Sequence, residues 1–200
     1  GASNALRTIA ATAGRPARAN PAANISDPEL SDEQRSHAAG LMRVNHAGEV
    51  AAQGLYQGHA AVARDAATEE QMHRAAKEEF DHLARCEERL AELDPGQSRL
   101  SPVWYAGAFA IGAASGVLGD RWSLGFIAET EKQVCAHLDS HLEDLPAEDV
   151  KSRAIVEKMR AEEQEHGENA IEAGAVPLPD PIQRLMKLTA KVMTETAYRL

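Results

Sequence analysis

Apolar side chains recur at steps of three and four through four separate stretches of the chain, and each stretch predicts an amphipathic helix. Met42, Asn45, Ala52, Tyr56, His59 and Val62 mark the first stripe, and Met72, Ala75, Ala76, Leu83, Cys86, Leu90 and Leu93 the second. Ile127, Val134, Leu138, Leu142 and Leu145 form the third, and Val156, Met159, Ala170 and Ala173 the fourth. Each stripe is broken by charge at one place: Glu49, then Glu79 with His82, then Glu131, then Glu163 with His166. Ionisable groups on a core-facing stripe need a partner or a bound ion, because burying an unpaired charge is too costly.

The interruptions repeat as a pattern. A single Glu is followed by Glu-x-x-His after 30 residues in the first copy and 32 in the second. About one Glu-x-x-His is expected by chance in a chain of this composition; the chain holds a third, Glu70 with His73. Glu70 lies nine positions before Glu79, which puts it on the opposite helix face and predicts a solvated pair. Four carboxylates and two imidazoles on facing helices are the ligand set with which ferritin-like bundles hold two metal ions. Turn signals agree with a pair of hairpins. Arg64 to Thr68 lies midway between Glu49 and Glu79, with Thr68 and Gln71 reading as a capping box, and Pro146 lies near the midpoint of Glu131 and Glu163. Each carboxylate then stands roughly 22 Å from its turn, so all four meet at mid-height. Pro95-Gly96 and Ser101-Pro102 fall in the long link between the hairpins. The expected fold is all-α: a ferritin-like four-helix bundle with a long crossover, an apolar segment and a C-terminal amphipathic helix.

Composition narrows the picture further. With 200 residues and 44% hydrophobic the chain has material for one core, and 4% aromatics suit an Ala/Leu-rich bundle. A formal charge of −10 argues against nucleic acid as a partner. Cys86 and Cys135 read as ordinary buried thiols, with no disulfide framework. Residues 1–28 have the character of a flexible N-terminal tail, with Arg7, Arg15 and Arg18 and no acid before residue 27, and residues 29–200 form the expected single domain.

Residues 100–119 carry no charge, a length that would suffice for a membrane span. Gly107, Gly112, Gly116 and Gly119 weigh against a span, and Gly112 and Gly116 permit close helix packing. A core helix and a surface touching lipid or a lipidic substrate are the other readings, and the last is favoured. After Pro177, Pro179 and Pro181, Ile182, Leu185, Met186, Val192 and Met193 share a face flanked by Arg184, Lys187, Lys191 and Arg199. That segment suits an interfacial helix or a cover for the end of the bundle.

Four segments carry a family resemblance: Leu41-Met42-Arg43-Val44-Asn45-His46-Ala47-Gly48-Glu49, Glu78-Glu79-Phe80-Asp81-His82, Glu131-Lys132-Gln133-Val134-Cys135-Ala136-His137 and Glu162-Glu163-Gln164-Glu165-His166. They resemble the demethoxyubiquinone hydroxylases of ubiquinone biosynthesis, bacterial branch, over about residues 40–200. The resemblance implies two Fe ions on Glu49, Glu79, His82, Glu131, Glu163 and His166, with Glu79 and Glu163 bridging. It implies O₂-dependent hydroxylation of the ring of a demethoxylated polyprenyl quinol, 3-demethoxyubiquinol to 3-demethylubiquinol. It also implies a peripheral place on the cytoplasmic face of the bacterial inner membrane, or the matrix face of the mitochondrial one if organellar, near other ubiquinone-biosynthesis proteins. Electrons must come from an external donor, since no strand is followed by a dinucleotide-binding glycine fingerprint.

Tyr56, His46 and His137 are candidates for support around the metals. Tyr56 could bond a ligand or substrate, or be a satisfied core tyrosine. His46 could orient Glu49. His137 lies about 120° around the helix from Glu131 and suits a supporting or substrate-side place, or the surface. Glu129 is expected to point away from the stripe, and Glu162, Glu165 and Glu168 to form a solvated face. Two other functions stay open: a di-metal ferroxidase, peroxidase or catalase, and a metal-free helical interaction module.

Overall fold

A computed structural model of the chain describes residues 17–26, 29–93 and 96–200. Among the described residues six helices follow one another: α1 Asp32–Ala60, α2 Ala66–Leu93, α3 Ser101–Val117, α4 Asp120–Asp144, α5 Val150–Glu172 and α6 Asp180–Ala197. The described residues contain no strand. Helices α1 and α2 form one hairpin and α4 and α5 the other, and α2 meets α5 across the bundle. Helix α3 is the crossover and lies along α1, while α6 packs on α1 and α4. This is the expected all-α, ferritin-like arrangement. Pro95, in the expected crossover, lies outside the described residues.

Local chemistry sets the helix ends. Ser31 Oγ accepts from the Gln34 amide at 3.2 Å, and Gln34 Oε1 accepts from the Ser31 amide at 3.0 Å, a capping box that starts α1. Helix α2 starts earlier than Thr68. Asp65 Oδ2 accepts from the Thr68 amide at 3.0 Å, so Asp65 is the cap and Thr68 is already in the first turn. Asp149 caps α5 by accepting from the Ser152 amide at 3.0 Å. Between α3 and α4 the chain turns at Gly119 with φ of +117°, a left-handed conformation that favours glycine.

Two large apolar clusters dominate the packing of the described residues, with two smaller ones beside them. Met42, Cys86, Leu90, Leu138, Val156 and Met159 belong to one, and Tyr56, Met72, Leu124, Ile127 and Ala170 to the other. Along every helix of the bundle, the charged interruptions of the stripes fall between these clusters. Helix α3 sits unusually near α1. A Cβ on Gly58 would collide with the Phe109 carbonyl oxygen, and one on Gly112 with that of Leu55. No helix among the described residues is long and apolar enough to cross a membrane.

Residues 17–26 depart from the expected flexible tail. Ala22 is buried in the first cluster, the Ala17 amide donates to Asp81 Oδ1 at 2.8 Å, and Arg18 reaches both α2 and α5. The sequence offers no periodic signal for this stretch because it is not helical; tertiary partners hold it. Residues 1–16, 27 and 28 of the expected tail lie outside the described residues.

Candidate metal centre

Six predicted side chains converge from four helices. Glu49 comes from α1, Glu79 and His82 from α2, Glu131 from α4, and Glu163 and His166 from α5, and all are buried. Ligand atoms of Glu49, Glu79, His82 and Glu163 lie within 4.8 Å of one another. His82 Nδ1 is 2.9 Å from Glu79 Oε2 and 2.8 Å from Glu163 Oε1. His166 Nδ1 is 2.9 Å from Glu79 Oε1 and 3.2 Å from Glu163 Oε2. Glu79 and Glu163 therefore each present one oxygen to each histidine. The two rings face each other with centroids 6.2 Å apart. Glu131 Oε1 accepts from the Tyr56 hydroxyl at 2.6 Å.

The outward ring nitrogens are also held, with a swap between the halves. His82 Nε2 lies 2.7 Å from Glu162 Oε2, and His166 Nε2 lies 2.7 Å from Glu78 Oε2. Each partner is the residue just before the central carboxylate of the opposite half. Arg85 Nη1 donates to Glu162 at 2.8 Å, and Lys158 lies 3.0 Å from its other oxygen. Glu162 is thus buried and fully engaged, not part of a solvated face; Glu165 and Glu168 are exposed as expected. The missed signal was the Glu-Glu doublet itself, which occurs in both halves as Glu78-Glu79 and Glu162-Glu163.

Burial, with Glu79 next, pushes the Glu49 carboxyl well above the usual range, and burial with Glu163 does the same to Glu131. At Glu79 burial also pushes upward, but His82 and His166 outweigh it and hold that carboxyl well below its ordinary value. Burial disfavours charge on both histidines, yet Glu163 and Glu79 raise His82 well above its usual value and push His166 up to about 12. The carboxylates thus demand positive charge at their centre. Oε2 of Glu49 is buried with no hydrogen-bond partner and lies 3.8 Å from His82 Nδ1. A donor set of hard carboxylate oxygens and imidazoles, with such an orphaned oxygen, fits a pair of divalent first-row metal ions.

A cavity of about 800 Å³ leads to this cluster. Its floor includes Glu49, Glu79, Glu131 and Glu163, and its walls are mostly apolar residues of α1, α3, α4 and α6, such as Leu55, Ile111, Phe126 and Met186. Asn45, one turn before Glu49, also lines it. Glu129 does not point away: it is buried at the cavity wall and accepts from Gln133 Nε2 at 2.7 Å. Helix α6 covers that side of α4, which the periodicity of α4 alone does not reveal.

Of the supporting candidates, Tyr56 is joined to the cluster. His46 is buried but faces Glu87, 3.6 Å from its Oε1, and makes no hydrogen bond to Glu49. His137 lines the cavity, with its ring centroid 4.0 Å from that of His141. Glu70 and His73 are exposed, as the face argument requires. Cys86 and Cys135 are free, and neither forms a disulfide.

A sequence model for the family described as ubiquinone biosynthesis protein COQ7 matches residues 36–197. The chain belongs to the COQ7 family. The match spans the six helices of the described residues except the first residues of α1. A 3-demethoxyubiquinol 3-hydroxylase of Xanthomonas euvesicatoria is 58% identical over 92% of this chain and 84% of its own length. Proteins of the same name are 54% identical in Chromobacterium violaceum, over 98% of this chain and 94% of theirs, and 55% identical in an Azoarcus species, over 98% and 95%.

Proposed function

We propose that this protein is a 3-demethoxyubiquinol 3-hydroxylase, an O₂-dependent di-iron monooxygenase that adds a hydroxyl group to the ring of a demethoxylated polyprenyl quinol. The observation that carries the reading is the convergence of Glu49, Glu79, Glu131 and Glu163 on the floor of a mostly apolar cavity, with His82 and His166 against Glu79 and Glu163. The names and extent of the relatives support the same substrate.

Glu49, Glu79, His82, Glu131, Glu163 and His166 would hold the iron, with Glu79 and Glu163 central because each presents one oxygen to each histidine. When bound, ferrous iron supplies the electrons and open coordination positions needed to activate O₂. The protein's own residues do the rest. Glu162 and Glu78 accept from the outward Nε2–H groups, which leaves each Nδ1 free to coordinate and fixes the ring planes. Tyr56 holds one oxygen of Glu131 through its hydroxyl, so that carboxylate keeps one orientation. Leu55, Ile111, Phe126 and Met186 keep water from the cavity and would grip the quinol ring and the start of its tail. Electrons are renewed by an external donor.

The cavity mouth supports a peripheral membrane location. Val103, Ile111, Val117 and Leu118 on or next to α3 and Leu185, Leu188 and Val192 on α6 are exposed, and Arg184, Lys187 and Lys191 flank the latter. A helix of this kind lies in the lipid interface, from which a long isoprenoid would enter sideways. We place it on the cytoplasmic face of a bacterial inner membrane. A large lipophilic cavity over the metal floor favours this reading over ferroxidase, peroxidase or catalase chemistry, which needs no such volume.

The test is complementation of cells lacking the hydroxylase, reading accumulation of the demethoxy intermediate, alongside iron analysis of the purified protein. The wild-type chain should clear the intermediate and carry two irons, and Glu163→Ala should do neither. Persistence of the intermediate with well-expressed, iron-loaded wild-type protein overturns the substrate; absence of iron after loading overturns the metal site.

A further inference from the structure

Behind the two histidines, on the side away from the cavity, a guanidinium from the segment preceding the bundle ties three groups together. Arg18 Nε donates to Asp81 Oδ2 at 2.7 Å, Nη1 to Glu162 Oε1 at 3.0 Å and Nη2 to the Glu78 carbonyl oxygen at 3.1 Å. Asp81 and Glu78 belong to α2 and Glu162 to α5, so one side chain spans the two hairpins at the height of the cluster. The same helices are also joined by Arg85 on Glu162 and, farther along, by Arg89 on Ser152, and Arg18 adds a tie that takes in Asp81 and the Glu78 carbonyl as well.

The arginine is itself fixed. The Ala17 amide occupies the other oxygen of Asp81 at 2.8 Å, Asn20 Nδ2 donates to Glu88 at 2.6 Å, and Ala22 is buried in the core. The segment is thereby anchored on both sides of Arg18. We propose that Arg18 is a positioning residue of the metal centre: it clamps α2 to α5 and fixes Glu162, which in turn fixes the His82 ring. The inference rests on the di-iron reading of the cluster given above.

The geometry distinguishes this from a surface ion pair. Asp81 and Glu162 are almost wholly buried, and Glu162 uses its second oxygen on His82 Nε2 and Arg85. Without Arg18 the remaining cations on Glu162 are Arg85 on Oε2, the oxygen that meets His82, and Lys158 on Oε1, the oxygen Arg18 holds. A lysine at position 18 carries the charge but not three donors in a planar fork, so it cannot reproduce the clamp. The two ends of the cluster also differ. Glu78, the partner of His166, has a 38% exposed side chain, whereas Glu162 is held by three cations. The His82 end is therefore the one that depends on Arg18.

The experiment follows the loss of Fe(II) from the full-length loaded protein to ferrozine, a ferrous chelator, with the Mössbauer spectrum of the loaded protein as a second readout. Arg18→Ala should release iron about 10-fold faster than wild type, the scale on which outer partners of metal-bound histidines act. Its spectrum should change in one of the two iron signals. Arg18→Lys should fall between the two in release rate, and if the alanine variant does not fold, the lysine variant carries the test through faster release than wild type. Arg160→Ala, which removes a 2.9 Å pair with Asp139 on the solvent side of α5, should release iron at the wild-type rate. Wild-type release from both Arg18 variants overturns the proposal while leaving the di-iron reading intact. Failure of the wild-type protein to take up iron overturns both.

Discussion

The hydroxyl of Tyr56 lies 2.6 Å from Oε1 of Glu131, a bond that joins α1 to α4 at the floor of the cavity. Both side chains are essentially excluded from solvent. Replacing Tyr56 by Phe keeps the ring and its packing but strands a buried acceptor, a change that costs about 1–3 kcal/mol. The Tyr56→Phe protein in its metal-free form should lose that much stability in urea unfolding, seen as a lower midpoint with an unchanged slope of the transition. An unchanged midpoint would mean that Glu131 finds another donor and that Tyr56 does not hold it.

The contact of α3 with α1 makes a second prediction with an internal control. Alanine is the better helix former by about 1 kcal/mol, so Gly→Ala in a helix stabilises where there is room. At Gly58 there is none, because the new Cβ would strike the Phe109 carbonyl oxygen, part of a backbone that cannot rotate away. Gly58→Ala should therefore lower stability by about 1–3 kcal/mol, as overpacking does. Gly107 lies on α3 with open space within 4 Å of the position a Cβ would take. Gly107→Ala should leave the thermal midpoint unchanged or raise it. Equal effects at the two positions would show that helix propensity, not the close approach, dominates.

Why the ligands were legible in the sequence and their supports were not follows from where each side chain finds its partner. Glu49, Glu79, Glu131 and Glu163 interrupt stripes that are otherwise apolar, so periodicity alone exposes them as buried charges. Glu162 lies one residue, about 100°, from Glu163 among other acids, and only the repetition of the Glu-Glu doublet in both halves distinguishes it from a solvated face. Its partners His82, Arg85 and Arg18 come from another helix and from the non-helical segment before α1. Glu129 became buried because α6 lies beside it, a contact across about fifty residues of sequence that Gln133 makes visible by donating to the Gln183 carbonyl at 3.4 Å. The start of α2 was expected at a Thr68 capping box, but Asp65 caps it by accepting from the Thr68 amide.

His59 predicts a dependence on pH that is independent of the metal ligands. It is buried where α1, α3 and α4 meet, with the hydroxyls of Ser115 and Ser123 at its Nδ1 and the Phe126 ring 6.0 Å away. Among the described residues it has no carboxylate partner, and burial lowers its pKa to about 4. The folded value is below that of the unfolded chain, near 6.5, so the stability contributed by the neutral ring is complete above pH 6.5. It is lost as pH falls toward 4, because the unfolded chain takes up the proton first, at a slope approaching about 1.4 kcal/mol per pH unit. Between pH 6.5 and 4.5, His59→Gln should lose less stability than wild type, measured by urea unfolding at each pH. Parallel curves for the two proteins would remove His59 as the cause.

The outer face of α6 gives the last prediction. Leu185, Leu188 and Val192 are spaced three and four residues apart, and each is at least half exposed. Leu188 and Val192 do not line the cavity, so changing them leaves the catalytic pocket alone. If this face enters the lipid interface, the pair Leu188→Ser and Val192→Ser removes apolar area whose full burial is worth about 1.5–3 kcal/mol per side chain. Partial insertion still makes binding to vesicles containing anionic lipid at least about 10-fold weaker, since 1.4 kcal/mol is a factor of ten. Lys187 and Lys191 flank the same face, and their share of the attraction should fade as salt rises, whereas the apolar share persists. Sedimentation with vesicles at low and high salt separates the two contributions. Binding by the double variant equal to wild type, at both salt levels, would remove α6 from the membrane contact and leave α3 to account for it.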